Sequence, residues 1–301
     1  MFDAHEMIRE HGTDEARRLS RTKWEHTCIN AAATMLETDT AKLAYASLMI
    51  TSLPHRQPME GDSPARQWRR QIGFDEYFLE SGIFEDGTLV GVPFGAKARL
   101  ALIYIHTQVI RQASPVLDVP HTRNAFLKAL DMKGGGMTYK HVADQTRRIS
   151  ACKMTISREN LATWTGPLVD HFIYDVGILP PSTQCLDTAG FARQTVFSKG
   201  FYDLILADKV KLNHQALQII SNNSWAIDLY IWFARELHRL KAPFLLDWQR
   251  LEFGSGVRYK RSRQMRSTFL KTLQLVKAVY PQARVEPDEG GFILHPSPPP
   301  L

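Results

Sequence analysis

GVRYKRSRQMRSTFLKTLQLVKAVY, residues 256–280, holds seven Lys or Arg residues and no Asp or Glu. Placed on a helix at roughly 100° per residue, Met265, Phe269, Leu273, Val276 and Tyr280 fall into one narrow apolar stripe. Arg263, Arg266, Ser267, Lys271, Gln274 and Lys277 then lie on the other side. From Lys241 to Tyr280 nine basic residues stand against two acidic ones, a local surplus of seven positive charges, whereas the whole chain of 301 residues carries +6. The rest of the chain therefore sums to −1. Charge concentrated in this way is the footprint of a polyanion partner. A basic amphipathic helix taken alone also serves as a solvated face, a membrane-surface helix or a calmodulin target. The residues after it narrow the choice. RVEP (284–287) and FILH (292–295) read as two short strands around the turn DEGG (288–291). A helix that runs into a β-hairpin is the second half of a winged helix.

The bulk composition describes a globular chain of one large or two medium domains, with 44% hydrophobic and 23% charged residues. Cys28, Cys152 and Cys185 have neither metal-binding nor redox spacing, and their odd number argues against a disulfide framework. A reducing, cytoplasmic location and no metal or cofactor are expected. The opening MFDAHEMIREHG lacks the apolar core of a signal peptide, and the most apolar run, LALIYIHTQVI at 100–110, is too short to span a bilayer.

Taken in order, residues 14–37 and 39–51 read as two helices, and LPHRQPMEGDSPARQ (53–67), with three Pro and a Gly, reads as a mobile connection. A short helix or hairpin follows at 68–87. Residues 97–111 are apolar on nearly all sides, as a buried central helix requires, and His106 inside it reads as a satisfied core residue. A strand at 116–119 and a helix at 121–131 lead to GGG (134–136) and a helix at 139–150, the spacing of a helix-turn-helix. Strands at 153–159 and 168–175 read as a first wing. The run of Pro, Ser, Thr and Gln within 178–188 reads as a domain boundary. Beyond it the same order returns: a long helix at 224–240 with Asn223 as cap, a strand at 244–246, a short helix at 248–253, GSG (254–256), the basic helix and the hairpin. The expected fold is mainly α with small β-wings (α+β). It comprises a helical extension at 1–85, a first winged-helix domain at 86–187 and a second, DNA-reading one at 188–301.

Four stretches, VGVPFGAKARLALIYIHTQVIR (90–111), MKGGGMTYKHVADQTRRISACKMTI (132–156), WAIDLYIWFARELHRL (225–240) and RSRQMRSTFLKTLQLVKAVYPQARV with GGFILHPS (261–285, 290–297), make the chain resemble the plasmid-encoded replication initiator (RepA) family. Phe94 and Gln108 depart from the usual Tyr and acidic residue of the first stretch, away from the proposed DNA face. The resemblance implies a protein built from winged-helix units that binds repeated double-stranded sites in a plasmid origin, helps open the duplex and recruits host replication proteins.

Arg263, Gln264, Arg266 and Ser267, at the N-terminal end of the basic helix, are the candidates for base contacts, since Arg pairs bidentately with guanine and Gln with adenine. Lys271, Gln274 and Lys277 suit phosphates. Arg258, Tyr259, Lys260 and Arg261 precede or open the helix, where free N–H groups favour a phosphate, and Arg284 could reach DNA from the wing. Lys140, Arg147, Arg148 and Lys153 repeat the idea more weakly in the first unit, which is expected to serve mainly as a homodimer or interdomain contact with auxiliary DNA binding. An enzyme is not expected. None of the eleven His forms the His-x-His pair of a rolling-circle nickase, and GVPFGAK (91–97) has Ala96 where a phosphate loop needs its second Gly. A winged-helix transcriptional regulator is the alternative. Two unlike winged units in one chain favour the initiator.

Overall fold

A computed structural model of the chain describes residues 1–37, 42–72, 74–83, 87–120, 122–132, 135–158, 163–174, 177–179, 193–248 and 262–301. They form two compact units, one of Met1–Ala44 with Val210–Leu301 and one of Tyr45–Lys209. Helices α1 (Ala4–His11), α2 (Thr13–Leu19) and α3 (Lys23–Leu36) open the chain, and strand β1 (Leu43–Ala46) carries it from the first unit into the second. The second unit then runs through a 3-10 helix (Leu48–Ser52), β2 (Met59–Glu60), β3 (Ser63–Pro64), β4 (Gln67–Ile72), β5 (Asp75–Glu80), α4 (Gly95–Gln112), β6 (Val116–Asp118), α5 (Arg123–Ala129) and α6 (Gly136–Ala151). It closes with β7 (Lys153–Ser157), β8 (Trp164–Pro167), β9 (Val169–Tyr174), β10 (Gly177–Leu179), β11 (Gln194–Phe197) and α7 (Lys199–Ala207). The first unit resumes with β12 (Val210–Asn213), α8 (His214–Ile220), α9 (Ser224–Glu236), β13 (Phe244–Asp247), α10 (Ser262–Val279), β14 (Val285–Pro287) and β15 (Gly291–Leu294). Helices predominate over small antiparallel sheets, an α+β architecture.

In the first unit α1, α3 and α9 all pack on α10. The helix starts are specified locally. Asn223 accepts from the N–H groups of Trp225 and Ala226 to start α9, and Thr22 and Glu25 form a capping box at α3. The three-stranded sheet has the order β13-β15-β14, with Phe244 opposite Leu294 and Val285 opposite the same residue on the far side. Gly291 is needed there, because a Cβ would stand 2.0 Å from the Leu246 carbonyl oxygen.

The second unit is built on α4, which packs against α6 and α7. Leu127, Leu130 and Val142 form a buried cluster, with Tyr104, Phe126, Met132 and Tyr139 packed around it, so α5 and α6 share one core with α4. His106 is fully buried: its Nδ1–H donates to the Leu102 carbonyl at 2.7 Å, its Nε2 faces Ser47 Oγ at 2.9 Å, and its ring meets Phe201 edge-on at 5.8 Å. It is the satisfied core histidine expected from the sequence. Two sheets flank this core, ordered β4-β5-β7-β8 and β10-β9-β11-β6.

Several expectations change at the level of pairing. Residues 43–46 form a strand and 48–52 a 3-10 helix where one helix over 39–51 was expected. The stretch 53–67, expected to be a mobile connection, is built into the unit: Leu53 and Pro54 are buried, and β2 and β3 form a hairpin closed by the Ala65 N–H to the Pro58 carbonyl at 2.9 Å. Arg70 and the wholly buried Arg99 hold its start through the carbonyls of Thr51, Leu53 and Pro54. Such side-chain-to-backbone bonds leave no apolar period to read.

The expected first wing is also rearranged. β7 pairs with β5 and β8, whereas β9 pairs with β10 and β11, so the strands at 153–159 and 168–175 belong to different sheets. β11 and α7, read as the opening of a second domain, lie inside the second unit, because β11 pairs with both β6 and β9. The compact units thus divide at 44/45 and 209/210, where composition suggested 85/86 and 187/188. Of the expected short helix over 248–253 and the boundary segment over 178–188, residues 249–253 and 180–188 lie outside the described residues.

Candidate nucleic-acid interface

The basic helix folds as its periodicity dictates. Met265, Phe269, Leu273, Val276 and Tyr280 are all buried along α10 and the residue after it. Phe269 meets Trp225 of α9 edge-on at 5.3 Å, and Tyr280 meets Tyr230 at 5.9 Å while its hydroxyl donates to the Pro298 carbonyl. The buried face is wider than the five-residue stripe. Thr272, Leu275, Ala278 and Val279 are buried as well, on the unit in which α1 and α3 pack against this helix.

The opposite side holds Arg263, Gln264, Arg266, Ser267 and Lys271, all exposed, with Gln274 half-buried. No acidic residue lies on this helix. From residue 263 to 274 the face runs about 16 Å at 1.5 Å per residue. Lys277 does not join it. Its Nζ pairs with Asp3 Oδ2 at 3.1 Å, and the Ala278 carbonyl one residue on faces the His5 imidazole at 2.9 Å. Burial raises the Asp3 carboxyl, but the Glu6 N–H, the Lys277 ammonium and the His5 N–H outweigh it and hold the carboxyl below its ordinary range. Asp3 and His5 thus engage the last turn of α10.

Arg284 is exposed at the foot of the β14–β15 hairpin, its own N–H donating to Ser297 Oγ at 3.0 Å. The hairpin itself is acidic, with Glu286, Asp288 and Glu289 exposed. Trp248, which the sequence reading passed over, lies between hairpin and helix. Its ring packs on Phe292 at 5.0 Å, and the Arg266 guanidinium sits 5.1 Å above that ring. An aromatic residue directly after β13 and a surface arginine eighteen positions later carry no pairing signal in sequence. Arg258, Tyr259, Lys260 and Arg261 lie outside the described residues.

In the second unit Lys140 and Lys153 are exposed, the latter opposite Glu80 in the β5–β7 register. Arg147 pairs with Asp144 at 3.2 Å. Arg148 is no surface cation: it is buried, its Nε lies 2.8 Å from Asp144 Oδ2, and its guanidinium covers the Phe94 ring at 5.2 Å. Gly91 at φ 82° leaves room for it, since a Cβ there would stand 2.1 Å from Arg148 Nη1. Among the described residues no group of His, Cys, Asp and Glu is arranged to hold a metal ion, and no helix is long and apolar enough to cross a membrane.

The family model described as plasmid encoded RepA protein matches residues 92–248, more than half of the chain. The chain belongs to the plasmid-encoded replication initiator (RepA) family. Crystal structures of domains 2 and 3 of RctB are similar to this RepA-family chain at 10% identity, one with TM-score 0.46 over 82% of this chain and 94% of that one, another, of selenomethionine derivatives, with 0.47 over 82% and 95%. No curated protein matches. The face on α10 lies beyond the matched residues, so its chemistry is argued from its own side chains.

Proposed function

We propose that this RepA-family chain is a plasmid replication initiator that binds repeated double-stranded sites in an origin and reads them with α10 in the major groove. Binding then promotes duplex opening and recruitment of host replication proteins, and no catalytic step is assigned to this chain. The observation that carries the reading is the uninterrupted face of Arg263, Gln264, Arg266, Ser267 and Lys271 on a helix without an acidic residue. Arg263 and Arg266 suit guanine edges, Gln264 an adenine edge, and Lys271 and Gln274 phosphates. Arg258, Tyr259, Lys260 and Arg261 join the proposal as phosphate contacts through their place in sequence alone.

The order α9, β13, α10, β14, β15, with β15 central in its sheet, supports a winged helix for the first unit. Its acidic hairpin is unsuited to phosphate contact, and Arg284 at its foot is the part suited to a phosphate. The order α4, β6, α5, α6, β9, β11, with β11 between β9 and β6, supports a second winged helix. That unit is proposed as the homodimer contact, with Lys140, Lys153 and Arg147 as auxiliary DNA contacts.

Selection of the full chain against a random duplex pool, followed by footprinting of the recovered sequence in the DNA beside the gene, tests the reading. An asymmetric site recurring head to tail is expected. A single palindrome over a promoter contradicts the initiator role, and failure to enrich any sequence contradicts DNA reading by α10.

A further inference from the structure

We infer that Trp248 is a positioning residue for sequence reading: the turn of the β14–β15 hairpin fixes its indole, and the indole holds the Arg266 guanidinium in a set plane. The inference rests on the reading of α10 as the DNA-reading helix and adds to it the device that orients one base-reading side chain.

Both N–H groups of Trp248 are used by the hairpin turn. The backbone N–H donates to the Gly290 carbonyl and the indole Nε1–H to the Glu289 carbonyl, each at 3.0 Å. The turn is itself tied: Asp288 and Gly291 exchange backbone hydrogen bonds at 2.9 and 3.2 Å, and Asp288 Oδ2 accepts from the Gly290 N–H at 2.9 Å. Phe292 backs the ring at 5.0 Å, and the pairing of Asp247 with Gly291 sets the height at which the chain enters position 248. The indole is thus located by four elements of one hairpin.

Arg266 is exposed and sits over this platform, with its Cζ 5.1 Å from the ring centroid. A free surface arginine samples many rotamers, and fixing it on a base edge costs that freedom. Stacking on a rigid ring removes most of the freedom beforehand. The difference matters for bases more than for phosphates, because a bidentate contact to guanine demands a set plane whereas a phosphate accepts a cation from many directions. It also explains why the hairpin carries Glu286, Asp288 and Glu289. A hairpin whose task is to hold a platform has no need of positive charge.

The test uses the full chain, a duplex recovered by selection from a random pool, and a scrambled duplex of equal length. Trp248→Ala is expected to lower the preference for the selected over the scrambled duplex roughly two- to fivefold, the range of an exposed cation–π contact, with affinity for the scrambled duplex unchanged. Trp248→Phe, which keeps a ring but loses the Nε1–H, should recover part of the preference. Arg266→Lys, which keeps the charge but not the plane, should lose it as Trp248→Ala does. In the Trp248→Ala/Arg266→Ala double variant the tryptophan change should have no further effect. Independent, multiplying effects of the two changes overturn the inference, as does an equal loss on both duplexes in step with a lowered Tm. Should Trp248→Ala fail to fold, the Phe and Lys variants still decide it. If Arg266→Ala leaves the preference intact, the base contact of α10 at this position falls, and the positioning role falls with it. A normal loss for Arg266→Ala beside no loss for Trp248→Ala and Arg266→Lys removes only the positioning role.

Discussion

Asp3 links the start of the chain to the end of the reading helix: it caps α1 through the N–H groups of His5 and Glu6 and pairs with Lys277 at 3.1 Å. Asp3→Ala should cost about 0.5 to 2 kcal/mol of stability, the usual range for a lost N-cap, measured by urea denaturation at neutral pH. Because its folded pKa lies below its ordinary value, this contribution is present above the ordinary carboxylate value and is lost as the pH falls from there through the lowered folded one. His106 works at a higher pH. Burial lowers its pKa to about 4, against the Leu102 carbonyl and the Asp208 charge, which pull it up. The unfolded chain therefore binds more protons between the ordinary value of 6.5 and about 4, and stability falls as the pH is lowered through that window. Denaturation at pH 7.5 and 5 should show the fall, and His106→Gln should flatten it by on the order of 1 to 3 kcal/mol. A profile unchanged by that substitution assigns the effect to other groups. At this scale the sequence is read well where chemistry follows from period, as for His106 on an apolar helix. It is read poorly where burial decides: Arg148 has the same charge as Lys140, yet one covers the Phe94 ring inside the unit and the other meets solvent.

Among the elements, α4, α6, α9 and α10 were legible because each repeats an apolar face over at least three turns, and Asn223 marks the start of α9. Strand partners were not legible. The spacing of β7, β8 and β9 looks like a local wing, but β7 turns back to β5, far earlier in the chain, and β9 is joined by β11. Alternation within a short strand sets which face is buried, not which neighbour it meets. The arm shows the same limit. Nothing in residues 1–36 signals that α1 and α3 pack on α10, although the burial of Leu275, Ala278 and Val279 requires some cover beyond the five-residue stripe. Deleting residues 1–44 should therefore lower the thermal midpoint of the unit that contains α10 by several degrees or abolish its cooperative melting, as followed by calorimetry beside the full chain. An unchanged transition would make the arm an accessory to a core complete without it.

For the whole molecule, the charge budget localises what composition spreads out. The chain carries +6, and of its exposed cations Arg263, Arg266 and Lys271 share one face of α10, with Arg284 at the foot of its hairpin, whereas Lys23, Lys42, Lys140, Lys153 and Lys199 are scattered over the rest of the chain. With about five phosphates engaged, log affinity should fall against log salt with a slope of roughly −4 to −5, and Lys271→Ala should reduce the slope by about 1 while weakening selected and random DNA alike. A slope near zero would assign binding to uncharged contacts. Family membership follows from residues 92–248, whereas the reading face lies after them and had to come from charge, helical period and burial. The most direct measurement is the affinity of the Arg263→Ala/Arg266→Ala variant for the selected duplex and for random DNA, against the unchanged chain. Each arginine is expected to contribute about 1 to 3 kcal/mol to the selected duplex, so the preference should collapse while random DNA is held through the remaining phosphate contacts. An equal loss on both duplexes, or no loss on either, would contradict sequence reading by α10.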